Sequence, residues 1–168
     1  MKMRQLMKML PPTNLLVVVL LATVATGCGA RKLPGSDIDD TSDTRAVIDV
    51  VNAYRHAVEA RNPQALIDMV DESFRDDGGS ANPDDDLEYK TLFTALPARF
   101  LKVQDVKLDV TVRRIEFDDD VTRARVTYSY QMSFRIPEFT SRTQSETDIK
   151  QMTLKRVSDK QWKITSGI

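Results

Sequence analysis

The stretch Ala124-Arg-Val-Thr-Tyr-Ser-Tyr-Gln-Met-Ser-Phe-Arg-Ile136 decides the fold. Every second residue is apolar or aromatic (Ala124, Val126, Tyr128, Tyr130, Met132, Phe134, Ile136), and the residues between are Arg, Thr, Ser or Gln. Strict alternation with period two predicts a strand with one dry face and one wet face. At ~3.3 Å per residue it would run about 40 Å, so it must curve strongly or carry a bulge. A strand that long and bent calls for helices packed over its dry side.

The flanking sequence supplies the rest of a sheet. Upstream, Val106, Leu108, Val110 and Val112 alternate, and the apolar parity then switches to Ile115 and Phe117, which marks a bulge. Asp118-Asp-Asp120 reads as the hairpin turn between the two strands. Downstream, Pro137 ends the long strand and Phe139 to Ser145 reads as a polar connection. Lys150 to Val157 forms a third strand through Met152 and Leu154, and Ser158-Asp-Lys160 turns it into a last strand with Trp162 and Ile164 on one face.

Helices precede the strands. Val47, Val51, Tyr54 and Val58 recur at helical spacing, opposed by a wet stripe of Asp49, Asn52, His56 and Glu59, with Asp43 or Thr44 as the cap. Asn62-Pro63 ends that helix and starts a short second one, whose Leu66, Ile67, Met69 and Val70 face inward. An acidic, Gly-containing loop follows from Arg75 to Asp86. A third helix takes Leu87 to Phe100, with Leu92, Phe93 and Leu96 inward and Pro97 kinking or ending it. Helices first, then a four-stranded antiparallel meander, is an α+β order.

The beginning of the chain reads as an address. Lys2, Arg4 and Lys8 precede the apolar run Leu15 to Ala25, the layout of a secretory signal over residues 1–27. A spanning helix would need ~20 apolar residues. The words Val24-Ala-Thr-Gly-Cys28 resemble the lipobox of bacterial lipoproteins, and Cys28 is the single cysteine of the chain. That resemblance implies cleavage before Cys28, acylation of its thiol and attachment to a membrane. Gly29 in place of an Asp then implies the periplasmic side of the outer membrane in a Gram-negative cell, or the outer face of the cell membrane otherwise. Residues 28–43 read as a flexible tether and 44–168 as the folded domain. Beyond the signal, 21 basic residues face 25 acidic ones, a balance that argues against nucleic acid as a partner.

The local words Val50-Val-Asn-Ala-Tyr-Arg-His-Ala-Val58, Arg61-Asn-Pro-Gln-Ala-Leu-Ile-Asp-Met-Val70 and Gln161-Trp-Lys-Ile-Thr-Ser-Gly167 resemble the nuclear transport factor 2-like, or SnoaL-like, superfamily. The resemblance implies a cone-shaped α+β fold, with the N-terminal helices packed on a strongly curved four-stranded antiparallel sheet and a pocket open at one end. It implies no single activity, because the fold hosts enzymes, ligand binders and adaptors. Members that isomerise ketosteroids use a first-helix tyrosine, which Tyr54 resembles in position, and an aspartate base near Asp76 or Asp77. The buried third acid of those enzymes has no counterpart on the dry faces of residues 106–136.

Tyr54, Tyr128, Tyr130, Phe134 and Trp162 are the candidate lining of a pocket, with core filling as the competing role. No cofactor or metal is expected: the Asp runs lack the spaced ligands of a calcium loop, and there is no Gly-rich phosphate loop or Cys/His set. The outward face bears Arg123, Arg125 and Arg135, which acidic loops of a second copy could pair, so a homodimer is an expectation. The reading is a lipid-anchored envelope protein whose domain binds a small apolar ligand or an envelope protein without catalysis. An isomerase or dehydratase using Tyr54 with Asp76 or Asp77 is the first alternative, and a subunit of an envelope assembly is the second.

Overall fold

The computed structural model describes residues 31–78 and 86–168. The signal, the lipidation site at Cys28 and residues 79–85 of the acidic loop lie outside the described residues. The elements are α1 (Ser42–Glu59), α2 (Pro63–Asp68), β1 (Arg75–Asp76), β2 (Leu87–Glu88), α3 (Tyr89–Lys102), β3 (Gln104–Phe117), β4 (Arg123–Arg135), β5 (Gln144–Ser158) and β6 (Gln161–Ser166). β1 and β2 form a small antiparallel ladder, and β3-β4-β5-β6 form an antiparallel meander in chain order. This is the α+β architecture that the order of the sequence signals.

α1 forms because its apolar residues fall on one stripe. Val47, Val51 and Val58 are buried, and Tyr54 packs against the same cluster. The helix starts earlier than its sequence suggests. Thr41 is the cap, accepting from the Thr44 amide at 3.1 Å, while the Thr44 hydroxyl accepts from the Thr41 amide at 2.9 Å. This reciprocal box satisfies two donors that a bare helix end would leave open. Residues 31–41, expected to be structureless, are folded against it. Lys32 bridges Asp39, the Leu33 amide bonds the Ile38 carbonyl at 2.9 Å, and Ile38 is buried. Leu33 and Ile38 are too few to set a period, which is why this segment carries no sequence signal.

Asn62 caps α2 as expected, accepting from the Ala65 amide at 3.0 Å with Pro63 at the first helical position. α3 differs in three ways: it begins at Tyr89, because Leu87 and Glu88 pair with Arg75 and Asp76 as β2. Phe93 is 48% exposed, stacked edge-on against Tyr89 at 5.4 Å, whereas Leu92 and Leu96 are buried. Pro97 neither stops nor ends the helix, which continues to Lys102. The helix therefore tolerates the amide that Pro97 lacks; Phe93 sits beside the buried stripe, one position off its centre.

The bulges between β3 and β4 lie on β3, not on the long strand itself, and the β5–β6 register slips as well, between Thr153 and Leu154 and between Arg156 and Ser158. The β3–β4 register slips between Gln104 and Lys107 and again between Val112 and Arg114, where the parity switch falls. β4 meanwhile pairs with β5 without interruption from Arg123↔Lys155 to Phe134↔Gln144. β5 is the larger correction: it begins at Gln144, so the expected polar connection is shorter and the strand longer. Its first half pairs with β4 on one side while β6 covers only the second half. That half strand is exposed, and its apolar signal is correspondingly weak.

The core lies between the concave face of the sheet and the helices. Leu66, Leu92, Val126, Met152, Leu154 and Ile164 are each at most 2% exposed. Burying such side chains contributes about 1.5–3 kcal/mol apiece. Arg31–Ile168 is a compact unit containing this whole core. Arg156 ties one end of it together, donating to the Val121 carbonyl at 2.8 Å, the Asp159 carbonyl at 3.0 Å and the Asp43 carboxylate. Its guanidinium also stacks 4.8 Å from the centre of the Trp162 ring.

Candidate functional site

The unbroken β4–β5 register fixes what faces the inside of the curve. Residues directly opposite one another share a face, so Tyr128, Tyr130 and Met132 stand opposite Lys150, Asp148 and Glu146. Across from them, α1 presents Tyr54 from its inward stripe, between Val51 and Val58. Tyr54, Leu108, Tyr128, Tyr130, Met132, Glu146 and Lys150 enclose a cavity of about 120 Å³. Three phenols, one carboxylate and one ammonium thus converge on one small space.

The phenols cluster, with the Tyr128 and Tyr130 rings 6.4 Å apart between centres. Tyr54 and Tyr128 line the cavity together, and the Tyr128 hydroxyl donates to the Gly167 carbonyl at 3.3 Å. Tyr130 donates to the Glu146 carboxylate. Burial is the first reason why all three hold their protons. Burial pushes the Tyr54 phenol up to about 12, and the charge of Asp76 adds to it, against the neighbouring Tyr128 hydroxyl. Burial also pushes Tyr128 up, followed by the neighbouring Tyr54, and it raises Tyr130, followed by the bond to Glu146. At neutral pH these are neutral donors. The Lys150 ammonium lies 5.5 Å from the centre of the Tyr130 ring, a cation over its electron-rich face.

Asp76 comes near the cluster through the β1 strand, as the alternative enzymatic reading requires, but its oxygens are occupied. One accepts from the Gly78 amide at 3.1 Å; the other accepts from the Gly167 amide at 2.8 Å and the Ile168 amide at 3.2 Å. The carboxylate fastens the segment after β6 to the β1 turn, and a proton-abstracting role would compete with those three donors. Asp77 follows it on the exposed side of the turn. His56 is exposed, beside Arg55 and Glu59.

Two of the expected lining residues do not reach the cavity. Trp162 is 3% exposed and fills the core between Phe117, at 5.7 Å between ring centres, and Arg156. Phe134 lies two residues beyond Met132 on β4, half-buried and outside the lining. Glu146 and Lys150 are the residues that sequence reasoning missed. The signal was parity: Gln144, Glu146, Asp148 and Lys150 continue backward the inner set Met152 and Leu154. Glu146 falls between the expected connection and the expected strand, and Lys150, at the start of that strand, is charged and so does not read as inward.

A wider groove of about 470 Å³ runs between α1 and β6, lined by Ala46, Val50, Ala53, Met69 and Trp162. Its rim carries Asp49, Lys160 and Arg45, the last already paired with Asp40 at 2.5 and 2.7 Å. The tyrosine cavity is smaller, yet it alone of the two gathers hydrogen-bonding groups of perturbed ionisation, the mark of a recognition site.

No family model matches this sequence, and no curated protein matches it. Solved structures do match its fold. A nuclear transport factor 2-like superfamily protein from Salmonella enterica superposes with a TM-score of 0.62 at 10% identity, over 75% of this chain and 88% of that one. A ketosteroid isomerase-like protein from Erwinia carotovora gives 0.61 at 12% identity, over 73% and 91%. A conserved protein from Planctomyces limnophilus gives 0.62 at 11%, over 75% and 93%. The fold is therefore the nuclear transport factor 2-like cone. At these identities the likeness carries the fold alone, because this architecture serves many chemistries.

Proposed function

We propose that this chain is a lipid-anchored protein of the cell envelope whose cone-shaped domain binds a small ligand in the tyrosine cavity without transforming it. The carrying observation is the convergence of Tyr54, Tyr128, Tyr130, Glu146 and Lys150 on one space of about 120 Å³. That space holds about four waters at ~30 Å³ each, below the ~300–1,000 Å³ of sites for drug-sized molecules. It suits a small polar molecule, or the polar end of an apolar one that extends past Leu108 and Met132. Lys150 supplies the free donors, the Tyr128 and Tyr130 hydroxyls being committed to Gly167 and Glu146, so an acceptor such as a carbonyl or carboxylate oxygen is the complementary group.

Anchoring rests on the resemblance of Val24 to Cys28 to a lipobox. Two or three acyl chains, at ~0.8 kcal/mol per buried CH₂, hold a protein at a membrane where one chain does not. Intact mass of the full chain recovered from bacterial membranes tests this: an added diacylglyceryl mass supports it, and an unmodified thiol refutes it.

An isomerase or dehydratase is the second reading, favoured by the charge of Asp76 acting on both Tyr54 and Tyr128. Native mass spectrometry of residues 31–168 separates the two. A bound mass that survives purification unchanged and is lost in Tyr54→Phe supports the binder. Conversion of an added carbonyl compound by the wild type, abolished by Asp76→Asn, would overturn it.

A further inference from the structure

The two most exposed large apolar side chains of the described residues emerge at the same end of the sheet. Leu101 is 84% exposed and Phe139 is 80% exposed. Leu101 lies in the last turn of α3, three residues before Gln104, and Phe139 stands four residues after Arg135. Gln104 and Arg135 are cross-strand partners. Both side chains therefore leave the ladder at the end opposite the Asp118–Thr122 turn.

That end is also cationic. Arg99, Lys102 and Lys107 lie on the α3–β3 side and Arg135 and Arg142 on the β4–β5 side. Arg61 joins them by donating to the Val103 carbonyl at 2.9 Å. Against these six stand three carboxylates, Asp105, Glu138 and Glu59; Asp105 is already taken up by Arg135, and Glu59 accepts from the Leu108 amide at 3.1 Å. Arg99, Lys102 and Arg142 have no carboxylate partner among the described residues. Basic residues thus concentrate here in a chain whose acids outnumber its bases beyond the signal segment.

We propose that this end docks on the surface of an anionic phospholipid bilayer, Leu101 and Phe139 entering the interfacial layer and the cations meeting headgroup phosphates. Exposed apolar side chains ringed by Lys and Arg are what such a surface selects, each contribution small and the two kinds adding. A second copy fits this end poorly, since it would set like charges against one another. α1 starts at the other end of the sheet, where Asp43 meets Arg156 beside the Val121 turn. The proposed contact is made by residues of the Arg31–Ile168 unit and needs no acyl chain on Cys28.

The test uses residues 31–168, which hold the whole core, in co-sedimentation with vesicles of phosphatidylcholine alone or with phosphatidylglycerol added. Binding to the anionic vesicles, at least tenfold weaker on neutral ones and weakened again by high salt, is the expected result. Leu101→Ser with Phe139→Ser should cut it about tenfold, and Lys102→Glu with Arg142→Glu should abolish its dependence on the anionic lipid. All four positions are exposed, and circular dichroism checks that the variants fold. Equal binding to both vesicle types, no binding, or wild-type binding by both double variants would overturn the proposal. So would capture of a soluble acidic polypeptide in preference to the anionic vesicles. Acylation of Cys28 is read from intact mass and stands or falls apart from this result.

Discussion

The Tyr130 phenol donates its hydrogen bond to Glu146, although the residue facing Tyr130 across the ladder is Asp148. The bond runs diagonally, to a carboxylate one same-face step further along β5, where long side chains still meet. It fills one corner of the cavity and leaves Lys150 over the Tyr130 ring. Breaking it is the most direct probe of the site. Glu146→Gln keeps an acceptor and should cost under about 1 kcal/mol of stability, while Glu146→Ala leaves a buried phenol unpaired and should cost about 1–3 kcal/mol. Urea denaturation measures the difference; equal losses in the two variants would show that the bond adds nothing.

The three raised phenols give a pH signature. Each has its folded-state value above the unfolded one near 10, so the stabilisation is complete below pH 10 and is lost as pH climbs toward about 12, where Tyr54 titrates. The thermal midpoint should therefore fall steeply above pH 10. Ultraviolet titration should show phenolate from these residues only as the chain unfolds. Tyr54→Phe should flatten the alkaline fall. Reversible phenolate formation from Tyr54 at pH 10 in the folded protein would contradict this.

Gly167 is fixed by two independent constraints. Its φ is +88°, and a Cβ there would meet the Gln151 carbonyl oxygen at 2.1 Å. Its amide also donates to Asp76. Gly167→Ala should therefore cost about 1–3 kcal/mol and loosen the Asp76 contact, and the Tyr128 bond to the Gly167 carbonyl with it. A substitution that leaves the denaturation midpoint and ligand retention unchanged would show that the segment after β6 does not support the site.

The cap of α1 carries a similar, smaller prediction. Thr41→Ala removes the acceptor of the Thr44 amide and should cost about 1 kcal/mol, while Thr41→Ser should be close to neutral. Hydrogen exchange should report the loss locally, at the first turn of α1 and in residues 31–41 packed beside it.

How much was legible divides along physical lines. Period two in Ala124 to Ile136, the parity switch after Val112, the Val47-Val51-Tyr54-Val58 stripe and the Asn62-Pro63 signal are local patterns of burial and backbone chemistry. They determined the α+β order, the meander, the bulge and the inward position of Tyr54. Tertiary structure alone decided which inward side chains meet. Register set Glu146 and Lys150 against Tyr130, the packing of Arg156 and Phe117 drew Trp162 into the core, and the turn at β1 committed Asp76 to the amides of Gly167 and Ile168. Charged residues on the inside of a half-paired strand carry no hydrophobic period, and contacts between residues far apart in the chain leave no spacing in it. The sequence determined the walls of the cone; the long-range register decided what those walls hold.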